Sequence, residues 1–142
     1  MEDCIFCKIA HKEVESYIIE ESDNFLVFLD IHPHSPGHSL LIPKTHYEKF
    51  EEVPENLGEE FLKIARRSVL LISKALNTKD FNLGINDGPF AGQAVKHAHF
   101  HIIPRFPNDK GGSMHSIVYN PPKEDLSTIY KRIIKVKNES QS

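Results

Sequence analysis

His97-Ala98-His99-Phe100-His101-Ile102-Ile103 alternates imidazoles with apolar side chains, and this alternation decides the fold around it. In a strand, successive side chains point to opposite faces, so His97, His99 and His101 share one face while Ala98, Phe100 and Ile102 share the other, which faces a core. On a helix the three rings would be dispersed. The spacing therefore predicts a strand over 97–104, ending near Pro104.

Working upstream, Asp87-Gly88-Pro89-Phe90-Ala91-Gly92-Gln93 reads as a Gly-rich loop that joins this strand to another over 81–86. From Pro54 to Asn77 the residues Leu57, Phe61, Ile64, Ala65, Leu71, Ile72, Ala75 and Leu76 recur at helical spacing, with Lys63, Arg66, Arg67 and Lys74 between them. That pattern predicts one amphipathic helix packed on a sheet. Pro54 suits its first turn, and Glu55, Glu59 and Glu60 suit the positive end of its dipole. Further upstream, 14–20 and 25–31 read as strands flanking Glu21-Ser22-Asp23-Asn24, and 37–43 as a third. Residues 5–10 can form a helical turn, and 123–136 a last helix after Pro121-Pro122.

Strands grouped around one long helix, without strict βαβ alternation, predict an α+β fold with a mostly antiparallel sheet of about five strands. The 142 residues contain no repeat, low-complexity tract or Gly/Ser linker, so one domain over 1–142 is expected. Its core covers 3–106, an extension covers 107–137, and a frayed tail covers 138–142.

Charge narrows the partners. Lys+Arg 17 against Asp+Glu 20 gives a net charge of −3, which lacks the basic excess that holds nucleic-acid polymers or anionic membranes. The longest apolar runs, 25–29 and 69–72, fall far short of the roughly 20 residues of a membrane span. Met1-Glu2-Asp3-Cys4 places acids where a secretory leader is basic, so a cytoplasmic location is expected. The only cysteines, Cys4 and Cys7, form a Cys-x-x-Cys pair available to a metal or to redox exchange.

Nine histidines in one chain without Trp ask for a use. A three-imidazole face serves metal ligation or acid–base and nucleophilic chemistry near pH 7. At about 3.3 Å per residue, His97 and His101 stand about 13 Å apart, too far to share one ion. At least one ring is thereby left for chemistry. Cys4 and Cys7 with two histidines would complete a tetrahedral Cys₂His₂ zinc.

The string Gly92-Gln93-Ala94-Val95-Lys96-His97-Ala98-His99-Phe100-His101-Ile102-Ile103-Pro104-Arg105 resembles the signature of the histidine triad (HIT) family, His-apolar-His-apolar-His-apolar-apolar. Cys4-Ile5-Phe6-Cys7-Lys8-Ile9, Phe28-Leu29-Asp30-Ile31, Pro36-Gly37-His38 through His46, and Asn86-Asp87-Gly88 follow in the order that family uses. The resemblance covers roughly 3–106. It implies a HIT-like fold, a homodimer in which two sheets join, and nucleotidyl hydrolysis or transfer at the α-phosphate of a nucleoside phosphoramidate, dinucleoside polyphosphate or similar purine adduct. NMP, expected to be AMP, would be released through a nucleotidyl-histidine.

Carried onto this chain, the resemblance makes His99 the nucleophile, His101 a phosphate contact that helps protonate the leaving group, and His38 a supporting hydrogen-bond partner. Asn86, Gln93 and the Val95 amide would hold non-bridging oxygens, Asp30 the ribose hydroxyls, and Ile5, Phe6, Ile9, Phe28 and Ile31 the base. A closed structural Zn²⁺ would sit on Cys4, Cys7, His46 and His97. Two departures stand out: Ala94 replaces the hydroxyl residue many relatives carry after the loop Gln, and no Trp occurs near the C-terminus. Two other readings are a nucleotide-binding regulatory protein with residual catalysis, and a metallohydrolase with an open zinc at His97 and His99.

Overall fold

The computed structural model describes residues 3–140. Met1 and Glu2, part of the acidic N-terminus, and Gln141 and Ser142, the end of the expected frayed tail, lie outside the described residues. The chain divides into two compact units, the second beginning at Gly112.

The first unit runs α1 (Ile5–Ala10), β1 (Ile18–Glu21), β2 (Phe25–Leu29), β3 (Ser39–Pro43), α2 (Gly58–Leu76), β4 (Asp80–Ile85) and β5 (Phe100–Arg105). The strands form one antiparallel sheet in the order β1-β2-β3-β5-β4. Both faces are covered, which explains why Phe25–Leu29 is apolar without alternation. Leu26 and Phe28 pack with Phe6, Ile9, Ala10, Leu40 and Ile42 on the α1 side. Phe25 and Val27 pack with Leu41, Ile64, Ala65, Ile72 and Ile102 on the α2 side. Ile64 is fully buried there, so Ile64→Ala should cost about 2–5 kcal/mol in denaturant unfolding.

Several boundaries differ from the sequence expectation, each for a local reason. The ladder of the histidine strand begins at Phe100, not at position 97: His97 N–H turns back to the Val95 carbonyl, and Ala98 N–H donates to Tyr47 O outside the sheet. The first expected strand, 14–20, shortens to Ile18–Glu21 and carries a register irregularity between Ile18 and Glu20. The second ends at Leu29 because Asp30 N–H pairs with His38 O across the following turn.

The third strand opens at Ser39, since Gly37 occupies a turn at φ +84 where a Cβ would also collide with Leu76 and Pro104. The fourth is Asp80–Ile85, not 81–86. The long helix starts at Gly58, preceded by a separate 3₁₀ turn over Glu55–Leu57, and ends where Asn77 adopts the left-handed conformation.

The second unit holds a 3₁₀ turn, Met114–Ser116, and α3 (Leu126–Ser140). The helix begins three residues later than expected, with the Thr128 and Ile129 amides turning onto Asp125 O. Residues 138–140, expected to fray, are helical.

Candidate active site and metal centre

His101 on β5 and His99 just before it lie on the α1 face of the sheet, where their ring centroids are 5.1 Å apart. His101 stands opposite Leu40 in the β3–β5 register. Phe100 and Ile102 point to the α2 side, as alternation requires.

Hydrogen bonds fix which nitrogen of each ring holds a proton. The Nδ1 of His99 lies 2.7 Å from the carbonyl oxygen of His97. A carbonyl only accepts, so neutral His99 has its proton on Nδ1 and a lone pair on Nε2. The His34 amide donates to His38 Nδ1 at 3.1 Å, which leaves the His38 proton on Nε2. That Nε2–H donates to His101 Nδ1 at 2.9 Å, and the His101 proton is thereby driven to Nε2. Among the described residues His101 Nε2 is buried and has no partner. A nucleophilic lone pair and an unsatisfied N–H donor thus occupy neighbouring rings.

Burial favours the neutral forms of His101 and His38. It pulls His101 down to about 4, helped by the neighbouring His99 and His38, and it lowers His38, against which the Asp30 carboxylate acts. A folded pKa below the ordinary value of about 6.5 means that protonation favours unfolding. The resulting penalty is absent above pH 6.5, grows as pH falls toward about 4 and then levels off. Imidazole NMR should show His101 still neutral at pH 5.5, with stability falling across that window. His38→Leu removes the donor that sets the His101 tautomer and should lower kcat about 10- to 100-fold with little change in KM, measured by steady-state kinetics.

Asp30 is half-buried; one oxygen accepts the His32 amide at 2.9 Å and the other stands 3.7 Å from His38 Nε2. Asp30, His38 and His101 could also be read as a cation cluster. The proton on His38 Nε2, enforced by the His34 amide, instead makes His38 and His101 a hydrogen-bonded pair, with Asp30 as a nearby charge.

In the loop, Gln93 is already engaged. Its Oε1 accepts the Gly88 amide at 2.8 Å, while Nε2 donates to Glu48 O at 2.8 Å and Val95 O at 3.0 Å. Asp87 accepts the Phe50 amide and meets Lys49, clamping the same loop to residues 48–50. Asn86 is half-buried just past β4, and the Val95 side chain packs on the α1 cluster. Among the residues expected to hold a base, Phe6, Ile9 and Phe28 are buried, whereas Ile5 and Ile31 are exposed. Phe6 meets His99 edge-on at 5.1 Å and so packs against the expected nucleophile itself.

A second constellation lies beside the first. Cys4 Sγ is 3.5 Å and Cys7 Sγ 3.6 Å from His97 Nδ1, and His46 Nδ1 is 3.2 Å from Cys7 Sγ. The four ligand atoms all fall within 4.8 Å of one another. Tetrahedral zinc with bonds near 2.3 Å to sulfur and 2.0–2.1 Å to nitrogen requires S···N edges of about 3.6 Å. His97 Nε2–H donates to Pro43 O at 2.8 Å, which turns its lone pair toward the sulfurs, as an outer partner of a metal ligand does. Burial pushes the Cys7 thiol up to about 11 and pulls His97 down to about 4. The donor set fits a closed metal site. The main-chain contributors, Pro43 O, the His34 amide and Tyr47 O, carry no side-chain signal that a sequence could reveal.

The HIT domain model matches residues 11–108. An HIT-like protein of Methanocaldococcus jannaschii is 43% identical over 106 residues, covering 75% of this chain and 81% of its own. The adenosine 5′-monophosphoramidase of Saccharomyces cerevisiae is 39% identical over 102 residues, 72% of this chain and 62% of its own. Among solved structures, an HIT family member from Bacillus subtilis superposes with TM-score 0.81 at 34% identity, covering 94% of this chain and 96% of that one. A Zn-bound histidine triad protein from Mycobacterium smegmatis superposes with TM-score 0.71 at 31% identity, covering 87% and 85%. With its fold, its three histidines on β5 and its approach, and these matches, the chain belongs to the HIT family.

Proposed function

We propose that the protein is a nucleotidyl hydrolase that cleaves adenosine phosphoramidates or related purine nucleotide adducts at the α-phosphate, through a nucleotidyl intermediate on His99. The observation that carries this reading is the pair of fixed tautomers: His99 with its lone pair on Nε2, and His101 offering an unpartnered Nε2–H beside it.

The chemistry divides into two displacements. His99 Nε2 attacks the α-phosphorus while its Nδ1–H donates to the His97 carbonyl, which stabilises positive charge on the ring. His101 Nε2–H donates to the phosphate or leaving atom, with His38 behind it supplying a hydrogen bond to Nδ1. The Val95 amide and Asn86 lie in the segments that would receive non-bridging oxygens, and Asp30 would accept from the ribose hydroxyls. Gln93 contributes by holding the loop, and a direct phosphate contact would exchange one of its present partners. Water then attacks the nucleotidyl-histidine and AMP leaves. The named S. cerevisiae relative supports the adenosine assignment.

Cys4, Cys7, His46 and His97 would hold Zn²⁺ in a structural role, since four protein donors leave no open position. Bound there, zinc ties the N-terminal segment to the approach of β5. A homodimer is part of the proposal, supported by exposed Leu62, Leu70 and Leu71 on α2 and Leu83 on the edge strand β4. So is a cytoplasmic location: the cysteines are free, and among the described residues no helix is long and apolar enough to cross a membrane.

A second reading, nucleotide binding with residual catalysis, is favoured by the committed Gln93 side chain and by Ala94, which brings no hydroxyl. Turnover of adenosine 5′-phosphoramidate separates the two. AMP release at several per second supports hydrolysis; micromolar AMP binding with negligible release supports the second reading.

A further inference from the structure

His97 belongs to both constellations at once. Its Nδ1 faces the two sulfurs, its Nε2–H is held by Pro43 O, and its main-chain carbonyl orients His99. Residues 97–99 precede the sheet ladder, so that carbonyl is held in place by the Ala98 N–H of its own peptide, which donates to Tyr47 O, and by the His97 side chain. Phe6, adjacent to Cys7, meets the rings of both His97 and His99 edge-on. Whatever displaces the first turn of α1 therefore reaches the proposed nucleophile by two routes.

The two thiols are three positions apart, with Sγ atoms inside the same 4.8 Å cluster, and Cys7 N–H donates to Cys4 Sγ at 3.4 Å. Cys7 is buried, whereas Cys4 is partly exposed and is the less protected of the two cysteines. Closing a disulfide draws the two sulfurs from within 4.8 Å to about 2.05 Å.

We propose that Cys4 and Cys7 form a peroxide-sensitive dithiol whose disulfide disengages His97 and unseats His99. For its effect on activity this inference rests on the hydrolase reading. The Cys4 thiolate attacks the O–O bond of hydrogen peroxide, giving a sulfenic acid and hydroxide. The Cys7 thiol then attacks that sulfur, the S–S bond forms, and the sulfenic oxygen departs with the Cys7 proton as water. One proton from solvent converts the first hydroxide to water, and the two electrons lost by the sulfurs are those gained by the peroxide. The disulfide offers no thiolate to an ion, which leaves only two imidazoles as donors.

The test treats the full chain, loaded with one equivalent of zinc, with hydrogen peroxide. The expected result is a mass 2 Da lower, blocked alkylation of both cysteines, and one equivalent of zinc released to a chromogenic chelator. In ¹⁵N NMR, His99 loses its single Nδ1–H tautomer, and kcat falls by about 10-fold or more, as misplacement of a reacting group predicts. Dithiothreitol with zinc restores every signal. Cys4→His, which keeps four donors but cannot form the disulfide, should resist peroxide.

Disulfide formation with zinc loss but an unchanged His99 tautomer would overturn the proposal. So would thiols and zinc that survive peroxide doses able to oxidise a free Cys-x-x-Cys peptide. If adenosine 5′-phosphoramidate is not a substrate, the hydrolase reading fails while mass, zinc release and tautomer still decide this one.

Discussion

His99→Ala is expected to lower turnover of adenosine 5′-phosphoramidate by about 10³- to 10⁶-fold, the range for losing a covalent nucleophile whose neighbours remain. The loss should lie in kcat, with AMP affinity changed far less, because the residues proposed for the phosphate and ribose are untouched. The fold should persist. His99 is buried but takes no part in the Cys4, Cys7, His46 and His97 cluster, and its Nδ1–H donates to a carbonyl two residues away. Zinc content of one per chain and a Tm within a few degrees of wild type would confirm that chemistry alone was removed. Full activity in this variant would remove His99 from the nucleophile role.

With zinc on Cys4, Cys7, His46 and His97 as proposed, its removal is expected to have the largest effect on stability. Cys7 and His97 are buried and cluster with Cys4 and His46, so the emptied site leaves four polar groups facing one another. A metal held at about 1,000 times its Kd stabilises by about 4 kcal/mol, which corresponds to about 10–15 °C in Tm for a domain of this size. Dialysis against a strong chelator, followed by calorimetry, should show that loss, with activity declining slowly and together with structure. Rapid, reversible inactivation of a protein that keeps its Tm would instead support the open catalytic zinc at His97 and His99.

The parts of the site that depend on side-chain type and spacing were legible in the sequence. Alternation puts His99 and His101 on one face and Phe100 and Ile102 on the other, and β5 with the residue before it does so. The rise of a strand keeps His97 and His101 from sharing one ion, and they fall into different clusters. Family resemblance, not spacing, joined His46 and His97 to Cys4 and Cys7.

What remained hidden depends on main-chain atoms or on burial. The strand begins at Phe100 because the His97 and Ala98 amides bond elsewhere, to Val95 O and Tyr47 O. The His101 tautomer is set by the His34 amide two links away, and nothing in the His34 side chain advertises it. Gln93 has the polarity of a phosphate ligand, yet its donors close the loop on Glu48 and Val95. Phe6 reads equally as core or as base slot, and only its 5.1 Å contact shows that it packs on His99.

The central claim is that His99 carries the nucleotidyl group during turnover. Wild-type protein should be mixed with adenosine 5′-phosphoramidate, quenched within milliseconds under alkaline conditions that preserve a phosphohistidine-type bond, and measured as intact mass and as peptides. The account predicts an adenylyl adduct on the peptide containing His99, formed and lost at rates that match kcat, and absent from His99→Ala. AMP produced at the full rate with no adduct at any time, or an adduct on another residue, would contradict it.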